Sequence, residues 1–213
     1  MTEKRTTGMK RRREGFRSYV NSFGFAILLA LVFRQFVIQA FRIPSQSMED
    51  TLLVGDFLFV NKFLYGAKLP FMETRLPRVR APKRGDIIVF KSPQDGRDFI
   101  KRCVAVAGDT VEVRAKVLYL NGKPQTEPFV KHQPGLRPPG SDRRDYFGPF
   151  VVPPGNLFMM GDNRENSADS RYWGALPLGL VKGKAMFIYF SIDSPRGYFP
   201  PHLRWRRFGD IIH

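Results

Sequence analysis

Cysteine is almost absent from this chain. Its 213 residues hold one, Cys103, which excludes an intrachain disulfide and any zinc site built from several thiolates. Histidine is nearly as scarce. His132, His202 and His213 are the only three, which leaves little for a His-rich metal centre. No metal and no cofactor are expected. Acidic residues are few as well: 19 Asp and Glu stand against 35 Lys and Arg, for a net charge of +16. That balance favours an anionic partner without choosing among nucleic acid, anionic lipid and acidic protein. A mean hydropathy of −0.28 excludes a chain that crosses a membrane many times, though not once. After residue 41 no stretch carries the caps and 3.6-residue period of a long helix.

What is present begins with charge. Residues 1–18 hold seven cations, among them Lys10, Arg11, Arg12 and Arg13, against Glu3 and Glu14. A largely apolar stretch follows over 19–41, interrupted by Arg34 and Gln35. As a helix of about 22 residues it would span roughly 33 Å, enough to cross a bilayer core. Arg34 lies near its far end, where a long side chain can reach the headgroups. The stretch reads as a transmembrane anchor. A cleaved secretory leader and a buried amphipathic helix are the alternatives. Against the leader, the basic region is long and Ile38-Gln39-Ala40 is a poor small-x-small cleavage site. With an anchor, the basic flank 1–18 stays cytoplasmic and residues 42–213 lie on the far side of the membrane.

Beyond the anchor the chain reads as β. Apolar segments of four to eight residues recur at 56–61, 86–91, 99–107, 110–113, 117–120, 157–160 and 184–190, bounded by Gly, Asp, Asn and Pro. Asn121-Gly122 after 117–120 is a hairpin turn signal. The fold class expected is mostly β: an all-β domain of antiparallel, barrel-like sheets behind an N-terminal transmembrane helix. Residues 123–154 contain eight prolines. They read as a long loop or small insertion, outside the core. The C-terminal 203–208 mixes arginines with Trp205 and Phe208, and fits a membrane-interface segment and a solvated last strand equally well.

Four segments carry candidate chemistry. Pro44-Ser45-Gln46-Ser47-Met48-Glu49-Asp50-Thr51-Leu52 places two serines two apart just past the apolar span; a nucleophile with a hydroxyl donor and a Ser-rich linker both fit. Gly55 to Lys62 is a turn and a strand. Arg84-Gly85-Asp86 opens a strand, and Lys101 and Arg102 sit side by side within the apolar run 99–107. Strand alternation sends one of these two cations toward a buried face. Burial disfavours an ammonium, so a buried lysine becomes a base; an edge strand with both cations reaching solvent is the alternative. The fourth, Gly161 to Gly174, is dense in polar residues but fails the EF-hand pattern. It reads as a loop bonded to itself, with Asp169 paired to Arg171.

Together, and in this order behind an anchor, these segments resemble the motif boxes of bacterial type I signal peptidases. Ser45-Gln46-Ser47-Met48 matches the family's Ser-x-Ser-Met, 55–66 its second box, 84–90 with 99–104 its lysine box, and 161–174 its last box. The resemblance covers about 20 to 190. It implies a membrane-anchored serine endopeptidase that removes signal peptides from secretory preproteins through a Ser–Lys dyad. Ser47 would be the nucleophile and Lys101 the general base. Ser167 would orient the lysine. The Ser45 hydroxyl and the Ser47 amide would form the oxyanion hole, and Met48 would line the substrate cleft. Asp162, Asn163, Asp169 and Arg171 would support the site. The histidines have no part in this chemistry.

The same resemblance implies substrates with small residues at the first and third positions before the cut. It implies an inner-membrane protein with its catalytic domain periplasmic or extracellular, facing anionic lipid, with no nucleic acid expected. Two positions depart from the family pattern: Gln46 where glycine is common, and Asp50 where proline is common. Neither removes a reacting group, and both bear on how the loop is held. Self-cleaving repressor proteases share a Ser-Met nucleophile region and a β core, but carry a DNA-binding domain where this chain has a basic flank and an apolar stretch. A peptidase specialised for conjugation proteins is a closer cousin. A membrane-anchored nucleic-acid-binding protein is the rival from another class, without a zinc finger or RNA-recognition motif to support it.

Overall fold

The computed structural model describes residues 19–31, 34, 37–66, 68, 74–131, 142–193 and 202–213. Residues 19–31 are helical. Their apolar side chains, Phe23, Phe25, Leu28 and Leu29 among them, stand exposed rather than packed on the domain, which argues against the buried amphipathic helix. Among the described residues no helix is long and apolar enough to cross a membrane; 32, 33, 35 and 36 of the expected span lie outside them.

The expected span also ends too late. Ile38–Arg42 is a strand, β1, not the last turn of a helix. Alternating side chains in Ile-Gln-Ala-Phe-Arg let the segment pair over its whole length with β2, Asp56–Asn61. Pairing with β2 satisfies the backbone groups of this segment, as a helix would also have done, so burial against the sheet decides between the two.

The remaining strands are β3 Ile87–Lys91, β4 Asp98–Val106, β5 Thr110–Arg114, β6 Val117–Leu120, β7 Lys123–Pro124, β8 Phe147–Val151, β9 Asn156–Met160, β10 Leu176–Pro177, β11 Val181–Asp193 and β12 His202–Leu203. One sheet has the order β1-β2-β11-β3-β4-β9-β10, with β12 also on β11; the other has the order β7-β6-β5-β8. Every pairing between named strands is antiparallel. The long β11 is bulged against both β2 and β3. Such bulges bend a strand and increase its twist, so the large sheet curls. The fold is mostly β with few helices, and all seven expected strand segments are present.

Three apolar clusters fill it. Ile43, Met48, Leu52, Leu58, Val60 and Ile87 belong to the first. Ile88, Phe90, Cys103 and Met159 belong to the third, so β3 is buried on both faces and reads as an unbroken apolar run. The second cluster, with Val111, Leu118, Phe158 and Met160, lies between the two sheets. Here the reading of 123–154 needs correction. β7 and β8 fall inside that segment and complete the small sheet. Val152 is fully buried, and Phe147 and Phe150 pack on the second cluster. Pro124 at the end of β7 and Pro149 in the middle of the edge strand β8 mask apolar residues that do reach the core. Residues 132–141, and His132 with them, lie outside the described residues. The Asn121-Gly122 turn is a two-residue hairpin between β6 and β7, with both residues left-handed at φ 52° and 78°.

Candidate active site

Two short turns and one strand build the site. After β1 the chain passes through extended Ser45 into a single 3-10 turn, Gln46–Met48. Met48 and Leu52 pin this turn by inserting into the first cluster, and the Leu52 amide bonds the Met48 carbonyl at 2.7 Å. Met48, expected to line a substrate cleft, therefore has no exposed surface: a large apolar side chain at the root of the turn is drawn into the core.

β4 carries Lys101 and Arg102 into the interior together. Their exposures are 4% and 3%, so both cations are buried, not one of the two. The Lys101 ammonium donates to the Ser47 hydroxyl. Burial pulls the Lys101 amine down from an ordinary 10.5 to about 8, against the attraction of Asp169 and Asp162, while Arg171 pushes the same way as burial. With the amine neutral the contact reverses and Ser47 donates to the nitrogen. Ser45 Oγ lies 3.3 Å from Ser47 Oγ.

Arg102 is a supporting residue that the sequence reading left unassigned. Its Nε and Nη2 bond both oxygens of Asp162 at 2.9 and 2.7 Å. Its face packs 3.7 Å from the Phe129 ring centre, and Nη1 reaches the His213 carbonyl at 2.9 Å. Thr51 Oγ1 donates to Asp162 at 2.6 Å, so the pair is tied to the nucleophile segment. The signal was available: a second cation in an apolar strand needs a buried acid, and Asp162 was already a candidate.

The loop after β9 closes on the serine turn. The Asn163 amide donates to the Ser47 carbonyl at 3.2 Å, and Asn163 Nδ2 donates to the Gln46 carbonyl at 3.2 Å. Gly161 makes this approach possible. A Cβ there would meet Ser167 Oγ at 2.3 Å and the Ser47 carbonyl at 2.5 Å. Ser167, expected to orient the lysine, is buried against Gly161, and its hydroxyl makes no hydrogen bond to Lys101 in this state. Asp169 and Arg171 form the expected pair, with Nε and Nη2 each 2.8 Å from a carboxylate oxygen. Burial pushes the Asp169 carboxyl up, but Arg171 and the hydrogen bonds around the carboxylate together hold it below its usual range. Asp169 also accepts from the Gly161 amide at 3.1 Å. Arg164 pairs with Glu127 at 2.7 and 2.6 Å, so the proline-rich segment braces this loop from outside.

Both departures from the family pattern lie on the serine segment. Gln46 Oε1 approaches Asn166 Nδ2 at 3.5 Å. Asp50 is left-handed at φ 79°, a conformation closed to proline, whose ring holds φ near −65°. Its carboxylate is 3.3 Å from Lys131.

The arrangement of a buried amine on a serine hydroxyl, in a curled antiparallel fold, suits acyl transfer by a serine nucleophile. Residues 16–190 match the family model described as signal peptidase, peptidase S26. The chain is 36% identical over 209 residues to the signal peptidase I of Pseudomonas aeruginosa, covering 84% of this chain and 74% of that one. It is 35% identical to the signal peptidase I of Aquifex aeolicus, over 80% and 83% of the two chains. A solved signal peptidase I from Enterococcus faecalis shares 34% identity over 50% of this chain and 97% of that one, with a TM-score of 0.40. The chain belongs to the peptidase S26 family of signal peptidases. It is a serine endopeptidase.

Proposed function

We propose that this chain is a membrane-anchored type I signal peptidase that cleaves secretory preproteins with Ser47 as nucleophile and Lys101 as general base. The observation that carries the reading is the Lys101 amine held on the Ser47 hydroxyl at a site where burial favours the neutral form.

In the first step the amine takes the Ser47 proton as the serine oxygen attacks the scissile carbonyl carbon. The Ser45 hydroxyl and the Ser47 amide stabilise the oxyanion, an interaction worth about 10²–10³ in rate per donor. The Lys101 ammonium then protonates the leaving amine, and the new N-terminus of the mature protein departs. Water, deprotonated by the same amine, releases the acyl group from Ser47. Asp169, Arg171, Asp162 and Asn163 hold the loop that backs this dyad, and in this reading Ser167 orients the amine once the proton has moved.

Two unpaired strand edges lead to the dyad. β9 pairs with β4 only from Arg102 to Val106, so residues 98–101 leave one edge without a strand among the described residues. β1 ends the sheet order and leaves another. An extended segment of the signal peptide, added along such an edge, would bring its last residue to Ser47. The exposed apolar helix over 19–31 and the basic flank before it in the sequence support an anchor with a cytoplasmic flank and the catalytic domain on the far side. Exposed Leu203, Trp205 and Ile211 beside arginines support contact of the C-terminal end with an anionic bilayer surface.

The test is to incubate the detergent-solubilised chain with a preprotein and sequence the new N-terminus. Cleavage after the signal sequence is expected. Ser47→Ala and Lys101→Ala should each abolish it in a protein that still folds and unfolds cooperatively. Near wild-type cleavage by either variant would show that the dyad is assigned wrongly.

A further inference from the structure

We infer that a cavity beside the nucleophile turn receives the first residues of the mature protein and favours an acidic side chain there. The inference rests on the signal-peptidase reading and adds a subsite to it. The cavity holds about 220 Å³ and is bordered by Arg42, Gln46, Glu49, Val54, Asp193 and Arg204. Gln46 is adjacent in sequence to the nucleophile, and Arg42 is the last residue of β1. A substrate strand lying along β1 would reach Ser47 near the end of that strand. Its next residues would run past the strand end into this space.

The charges lining the cavity are unequally committed. Arg204 pairs with Asp193 at 3.1 Å and bonds the Val54 carbonyl at 3.0 Å. Glu49 is 3.7 Å from Lys131 and accepts from Asn163 at 3.2 Å. Arg42 has no carboxylate partner among the described residues; its guanidinium rests 5.6 Å from the Phe57 ring centre. Lys131 is shared between Glu49 and Asp50, so the lining charges balance overall, and Arg42 is the lining cation that holds no acid of its own among the described residues. Half-exposed Val54 offers an apolar wall for the methylenes of an aspartate or glutamate. An incoming carboxylate would meet Arg42 without displacing an existing pair. Since Arg42 is itself exposed, the gain is that of a partly screened ion pair.

The test uses preproteins identical up to the cut, with Glu, Ala or Lys at each of the first three residues after it, and the full chain in detergent. At one of those positions kcat/KM for Glu should exceed that for Lys by about three- to fivefold, and the ratio should shrink as salt rises. Arg42→Glu should reverse the order, and Arg42→Gln, close in shape and exposed, should flatten it. Retention of the wild-type order by both variants would overturn the subsite. So would charge dependence confined to residues before the cut. Cleavage with a flat mature-side profile sinks the subsite alone, whereas no cleavage of any preprotein sinks the signal-peptidase reading and the subsite with it.

Discussion

Lys101 meets two opposing demands. The fold removes its ammonium from water, and the proposed chemistry needs the amine free of its proton. With the amine pulled down to about 8, kcat/KM should climb as pH rises through that value, because only the neutral amine accepts the Ser47 proton. Stability follows the same group. The folded chain sheds this proton near 8 and the unfolded chain near 10.5, so between those values the unfolded state binds more protons and stability rises with pH. Below about 8 the buried ammonium carries its full cost. Lys101→Met should therefore be inactive yet more stable at pH 7, by on the order of 3 kcal/mol. The gain should fade above pH 8 and be gone past 10.5. Urea unfolding of both proteins at pH 7 and pH 10 checks this; an equal gain at both would mean that the buried charge is not the cause.

At the scale of elements, the proposed dyad depends on how closely the loop after β9 can approach the serine turn. Gly161→Ala should push these two segments apart, since its new methyl would overlap the Ser47 carbonyl and Ser167. A displacement near 1 Å at a reacting group costs about 10²-fold in rate. Cleavage should drop by about that factor while the thermal transition moves only modestly. Activity within a fewfold of wild type would mean that the loop yields without disturbing Ser47. The strands that carry the site were legible because β-rich apolar runs bounded by turn residues report a local preference. β1 was not, because its five residues continue the hydrophobicity of the stretch before them and only pairing with β2 distinguishes strand from span. β7 and β8 were hidden by the prolines around them. The burial of Arg102 with Lys101 was half legible, since alternation assigns one of them inward but cannot foresee Asp162 and Phe129 covering the other.

For the whole molecule, the net charge of +16 divides between a basic flank, with seven cations against two acids, and a positive remainder. Such a chain can hold a bilayer by charge alone or by a span, and the two differ in their response to salt. At roughly 1 M salt, where screening reaches down to about 3 Å, charge-held protein is released. The full chain in native membranes should stay in the pellet through both high salt and alkaline carbonate washes. Release by either wash would remove the anchor and leave only surface attachment.

The sequence by itself determined the β class, the order of the four motif segments and the pairing of Asp169 with Arg171. Each of these is written in local periodicity or in residues close along the chain. Tertiary structure alone decided that the Lys101 amine meets the Ser47 hydroxyl across 54 positions, that Arg102 is buried against Asp162, and that Met48 serves the core. Those outcomes depend on which surfaces the curled sheet covers, and burial is a property of the folded whole that no single segment carries.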